Sequence, residues 1–183
     1  MVVDAGIDRV FAILYDDEHQ AQWVYRTETF EIVERRGRDA FILYTLIQSP
    51  VFFVSDREAI FATTIQWKPS LGEVSLEFQK SDLADTLPPT PGYVRVPFAS
   101  GRWRLRKLAE ARTHVFFESV VDPGGWLPHW LVNLASQDPP LVTLRNLREQ
   151  LNRGIYKGAH QKVLKLYPWQ ELHHFSPRAV PPP

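Results

Sequence analysis

The run from Thr113 to Leu151 limits the fold more than any other stretch. Val115, Phe117, Ser119 and Val121 share one side of an extended segment, the period-two pattern of a sheet strand. Asp122-Pro123-Gly124-Gly125 forces a sharp exit, because proline sets φ and glycine accepts positive φ. Apolar residues then fall at Leu141, Leu144, Leu147, Leu151, Ile155 and Ala159, an oily stripe along one side of a helix. Pro139-Pro140 cannot sit in an uninterrupted helix. Leu127 to Ser136 and the stretch from Leu141 are therefore two helices or one kinked helix, with Asp138 and Pro139 as cap and first-turn residue of the second. The stripe must be buried, and the sheet that ends just before it is the obvious partner.

Upstream, Val10, Phe11 and Leu14 predict a helix over Ile7 to Tyr15. The acidic cluster Asp16-Asp17-Glu18-His19 reads as a cap, with Asp17 starting a short helix that ends near Trp23, rather than as a metal site. Strands are predicted over Arg26–Glu34, Asp39–Gln48, Arg57–Trp67, Glu73–Gln79, Tyr93–Phe98 and Gly101–Leu108. Their apolar faces carry Phe41, Leu43, Thr45 and Ile47; Phe61, Thr63, Ile65 and Trp67; Val74, Leu76 and Phe78; and Trp103 and Leu105. Arg102, Arg104 and Arg106 occupy the other face, read as solvated. Ser81 to Gly92 holds three prolines and is a loop. Many strands followed by a long helix make an α+β chain, a curved antiparallel sheet wrapped around its C-terminal helix.

At 183 residues this is most simply one domain, and a formal charge of zero gives no global pull towards nucleic acid. Without cysteine there is no disulfide or thiolate chemistry. Nucleophile-elbow, P-loop, dinucleotide and zinc-protease patterns are absent, and His173-His174 has no carboxylate constellation beside it. The inward faces offer hydroxyls (Thr45, Thr63, Ser119) and no charge, so neither catalysis, a metal nor a cofactor is expected. No stretch is long and apolar enough to cross a bilayer. The compartment is left open: cytoplasmic if Met1 is the natural start, exported if a signal segment was removed.

Asp122-Pro123-Gly124-Gly125-Trp126-Leu127-Pro128, followed by Trp130-Leu131-Val132-Asn133, closely resembles the strand-to-helix junction of START domains, the steroidogenic-acute-regulatory-protein-related lipid-transfer family. Asp16 with Trp23, Ser55-Asp56-Arg57-Glu58, and Tyr93-Val94-Arg95-Val96 leading to Gly101-Arg102-Trp103 resemble further family elements in the same order. The resemblance implies a helix-grip fold over residues 1–167 with an extended or disordered Pro-rich tail at 168–183, and an internal apolar cavity. It implies non-catalytic binding and intermembrane transfer of a lipid or other hydrophobic small molecule, gated by the C-terminal helix and the Gly124-Gly125-Trp126 loop, with transient membrane-surface contact. The wall would then be Leu43, Thr45, Ile47, Phe61, Thr63, Ile65, Leu76, Phe78, Trp103, Leu105, Phe117 and Ser119, closed by Leu131, Leu134, Leu144, Leu147 and Leu151. Alternatives are a ligand-processing enzyme of the same fold, similar to aromatase/cyclases, or a ligand-sensing or protein-interaction module.

The chain departs from the family at three places. Met1-Val2-Val3-Asp4 reads like the end of a strand, and family members carry a helix and first strands ahead of this point. The chain is therefore expected to be either a truncated form or a short variant whose open sheet edge invites pairing with another copy. Gln20 stands where phosphatidylcholine-binding members have an arginine, and Thr63 stands near the buried arginine of sterol-binding relatives. A clamp of either kind is not expected.

Overall fold

One antiparallel sheet organises the chain. The computed structural model describes residues 1–125, 127 and 129–173, with the backbone alone for 129–139, 170 and 173. Its strands are β1 (Val2–Val3), β2 (Thr27–Arg35), β3 (Ala40–Ile47), β4 (Asp56–Lys68), β5 (Glu73–Lys80), β6 (Tyr93–Arg95), β7 (Phe98–Ala109) and β8 (Arg112–Asp122). They run in the order β1-β8-β7-β5-β4-β3-β2, and β6 pairs parallel to the start of β4. Helices are α1 (Ile7–Tyr15), α2 (Leu83–Thr86), α3 (His129–Gln150), α4 (Lys157–Leu166) and α5 (Trp169–His173).

Register sets the predicted inward residues side by side. Leu43 lies opposite Phe61, Thr63 opposite Phe78, and Trp103 between Leu76 and Phe117. Trp103 stacks on Phe117 at 4.1 Å between ring centroids. Gly101 is required at its place, since a Cβ there would come within 2.5 Å of the Phe78 ring and of the Glu118 carbonyl. On the outer face Arg102 pairs with Glu118 at 2.6 Å.

The concave face is filled at one end only. Val10 and Phe11 of α1 are fully buried there with Val74, Leu105, Val115, Leu147 and Val163. The Phe11 ring lies 5.2 Å from Tyr167 and 5.4 Å from Trp169, and Trp67 meets Trp169 edge-on at 4.9 Å. Each large apolar side chain so buried contributes about 1.5–3 kcal/mol against exposure.

Several expectations change. Of the two readings of the Pro139-Pro140 break, the structure takes the single element, α3: the backbone is helical through both prolines, although neither has the N–H that the preceding turn would accept. That helix stops at Gln150, before Asn152 and Gly154, residues suited to ending a helix. The predicted stripe accordingly fails at its ends, with Leu141 70% and Ile155 45% exposed. The buried face of α3 is instead Thr143, Leu147 and Gln150. It docks by polar contacts as well: Tyr25 N donates to Thr143 Oγ1, and Asn146 Nδ2 donates to the Trp23 carbonyl at 2.8 Å. Asp17 caps no helix and pairs with Arg35, while Asp16 binds His19 at 2.6 Å. Segment 168–173 differs from an extended tail: Trp169 and Leu172 are buried in the core, and Trp169 Nε1 donates to the Val163 carbonyl at 2.8 Å. The remaining tail and His174 lie outside the described residues.

The outer face of β4 is covered by the α2 loop, which buries Glu58 completely. Arg95 Nε and Thr90 N both donate to Glu58 Oε1 at 2.9 Å, and the Tyr44 hydroxyl donates to Oε2 at 3.1 Å. Burial pushes this carboxyl up, but the bonds from Thr90 and Arg95 outweigh it and hold it below its ordinary 4.5.

Two measurements test this packing. Trp169→Ala is expected to lower stability by about 3–5 kcal/mol in urea unfolding, whereas a merely draped segment would leave the midpoint in place. Glu58→Gln is expected to lose about 3 kcal/mol at neutral pH. A folded pKa below the unfolded one gives stability that is present above the unfolded value and lost as pH falls through the folded value. The deficit of the variant should therefore shrink on acidification; a deficit constant with pH rules out the carboxylate as its source.

Candidate ligand-binding cavity

Beyond the filled end, the sheet and α3 enclose a cavity of about 310 Å³. Among the predicted wall residues, Leu43, Thr45, Ile47, Phe61 and Thr63 line it from β3 and β4. Leu76, Phe78, Trp103, Phe117 and Ser119 line it from β5, β7 and β8. Ile65, Leu105 and Leu147 are packed in the core instead, and Leu144 and Leu151 lie against it. They occupy the stretch that α1 and the C-terminal aromatics fill. The side chains of Leu131 and Leu134 lie outside the described residues.

Part of the wall was not foreseen. Leu14 from α1, Phe30 from the edge strand β2 and Phe41 from β3 add apolar surface. Gln20 also lines it, with its amide donating to the Ile13 and Leu14 carbonyls at 3.0 and 2.9 Å. That places the residue at the helix end rather than leaving its amide for a guest. The loop from Gln48 to Pro50, Val54, Pro123 and Leu127 border the cavity where exposed Arg26 and Gln48 also reach it, so the space meets the surface there.

Arg57 corrects the expectation of an uncharged interior. It lines the cavity at only 8% exposure. Its guanidinium donates to the Ser55 carbonyl and to those of Pro123 and Gly124, the last two at 3.1 Å. The signal was in the alternation: Arg57 has the same parity as Phe61 and Thr63, and the strand begins one residue before it. Burial pulls the guanidinium below its ordinary pKa, although arginine stays charged in any working buffer. Gly124 and Gly125, at φ 66° and 73°, carry the turn that Arg57 holds. A side chain at Gly124 would also strike Pro97 at 2.7 Å.

Thr63 supplies the deep polar group. Its hydroxyl is buried on the cavity wall without a hydrogen-bond partner among the described residues. A buried hydroxyl left unpaired is destabilising by about 1–3 kcal/mol. Thr63→Val should therefore raise the stability of delipidated protein, by about 1 kcal/mol in urea unfolding; a loss of stability would mean that the hydroxyl is already satisfied.

Comparison with known proteins agrees with this geometry. The START domain family model matches residues 1–153. The chain is 29% identical over 146 residues to an uncharacterized protein of Pseudomonas aeruginosa, covering 80% of this chain and 70% of that one. It is 24% identical over 158 residues to the mitochondrial steroidogenic acute regulatory protein of Gallus gallus, covering 84% of this chain and 55% of that longer protein. The crystal structure of a STAR-related lipid transfer protein fragment from Xanthomonas axonopodis superposes with a TM-score of 0.72 at 26% identity, over 84% of this chain and 83% of that one. With a curved antiparallel sheet closed on a C-terminal helix, and a family match over most of its length, the chain belongs to the START domain family.

Proposed function

We propose that the protein binds a hydrophobic lipid in its internal cavity and carries it between membranes without altering it. The observation behind this reading is the hollow itself: Phe61, Trp103 and Phe117, residues large enough to fill the space, line it instead. Its volume falls at the lower end of the about 300–1,000 Å³ typical of ligand sites. Family membership supports a hydrophobic guest at the same coarse level. The described wall residues include no histidine or carboxylate, which favours carriage over acid–base chemistry.

Energetics explains why such a carrier works at membranes. A guest burying about fourteen methylenes at about 0.8 kcal/mol each gains on the order of 11 kcal/mol over water. Release into water is then disfavoured by roughly eight powers of ten, so exchange needs a bilayer acceptor and an opening. Ser49, Pro50 and Val54 border the cavity, while Phe52 and Phe53 at the tip of the same loop are 99% and 64% exposed. Such a tip suits insertion among acyl chains. We assign the gate to this loop and the Gly124-Gly125 junction, with α3 as the closing element.

Delipidated protein mixed with donor and acceptor vesicles should move labelled lipid between them. The double variant Phe52→Ser, Phe53→Ser should slow transfer about tenfold or more while still extracting lipid from detergent, since about 2 kcal/mol or more of insertion energy is removed. If the wild type binds no lipid by native mass spectrometry and moves none, the carrier reading is wrong.

A further inference from the structure

The mouth of the cavity holds a buried cation that makes no direct ion pair among the described residues. Arg57 is 8% exposed, and among the described residues no carboxylate lies within ion-pair distance of it. Its neighbour Asp56 favours the charge through space, but accepts from Ser49 N at 2.7 Å and does not line the cavity. Three backbone carbonyls take three of its N–H groups, and a guanidinium has five. Carbonyl dipoles lessen the cost of burying a full charge but do not neutralise it. A second arginine flanks the same opening. Arg26 lines the cavity, donates to the Ser49 carbonyl at 3.0 Å, and holds a left-handed backbone at φ 50°, which is uncommon for a residue with a side chain. Both cations therefore face the mouth, each anchored to the loop that carries Phe52 and Phe53.

The interior sets the other half of the ligand. Arg57 and Thr63 both line the cavity and lie six residues apart on β4, about 20 Å of strand. At 310 Å³ the cavity lies at the small end of ligand sites, nearer the size of one hydrocarbon chain than of the pair carried by a diacyl lipid.

Resting on the carrier reading above, we propose that the guest is a single-chain amphiphile with an anionic head, a carboxylate or phosphate monoester. Its head sits against Arg57 and Arg26 at the mouth, and its chain runs along β4 towards Thr63. An incoming oxyanion takes the remaining guanidinium N–H groups and puts a countercharge in direct contact with them. The Pro123 and Gly124 carbonyls hold the same guanidinium, which ties arrival of the head to the junction before α3.

The test measures binding of four probes to delipidated protein at neutral pH by quenching of tryptophan fluorescence: hexadecanoic acid, hexadecyl phosphate, methyl hexadecanoate and a dihexadecanoyl phosphatidylcholine. At least one single-chain anion should bind about tenfold or more tightly than the ester and the two-chain lipid. Which anion wins distinguishes carboxylate from phosphate. In Arg57→Gln the anion-to-ester ratio should collapse towards one, and Arg57→Lys should restore part of it. An ester that matches the anions in the wild type overturns the proposal without any variant, while the carrier reading stands. So does equal weakening of anion and ester in Arg57→Gln, or preference for the two-chain lipid. Failure of all four probes to bind removes the carrier reading and this proposal together.

Discussion

The hollow depends on a plug. Phe11 from α1, Trp67 from β4, and Tyr167 and Trp169 from the C-terminal segment meet ring to ring at one end of the concave face. Aromatic clusters of this kind combine large buried area with preferred edge and offset geometries, so they resist sliding. With that end held, the sheet cannot close fully on α3, and the other end of the same face stays open. Burial of Tyr167 pushes its phenol far above the ordinary range, which fits a ring held in an apolar setting. The plug draws on residues beyond the span matched by the family model, since Tyr167, Trp169 and Leu172 all follow residue 153.

Two buried charges sit on β4 one residue apart, and the fold treats them oppositely. Glu58 points outward under the α2 loop, where Arg95 and Thr90 complete it. Its role is structural, joining the loop to the sheet. Arg57 points inward, and its hydrogen bonds among the described residues all go to backbone carbonyls. A cation so placed binds the junction before α3 to the loop at the mouth, the two segments that would have to separate for a guest to pass. Buried ions are poor sources of stability unless fully paired, so an incompletely answered one at an opening is better read through what it could meet there.

Much of the fold could be read from residue patterns. The strands from Thr27 to Asp122 emerge within a few residues of their predicted limits, because period-two alternation is a local property that survives folding. Inward-facing residues were also legible, and so was the junction at Asp122–Gly125. Reading failed where an element depended on distant partners. Leu141 looks like part of a stripe, but α3 turns Thr143, Leu147 and Gln150 inward because polar contacts to the segment around Trp23 set its rotation. Arg57 was overlooked because an arginine at a strand start usually means solvent, and here the Ser55, Pro123 and Gly124 carbonyls accept it inside.

By itself the sequence determined which face of each strand looks inward, where the chain leaves the sheet, and to which family it belongs. Alternation and turn chemistry act between neighbours, and no tertiary contact is needed to express them. Only the tertiary structure decided how that face is divided. Phe61 and Ile65 share a strand, a parity and an apolar character, yet one borders a cavity and the other lies in the core. The difference comes from where Phe11 and Trp169, more than a hundred and fifty residues apart, meet across the sheet. Contacts of that separation leave no periodic trace in the chain.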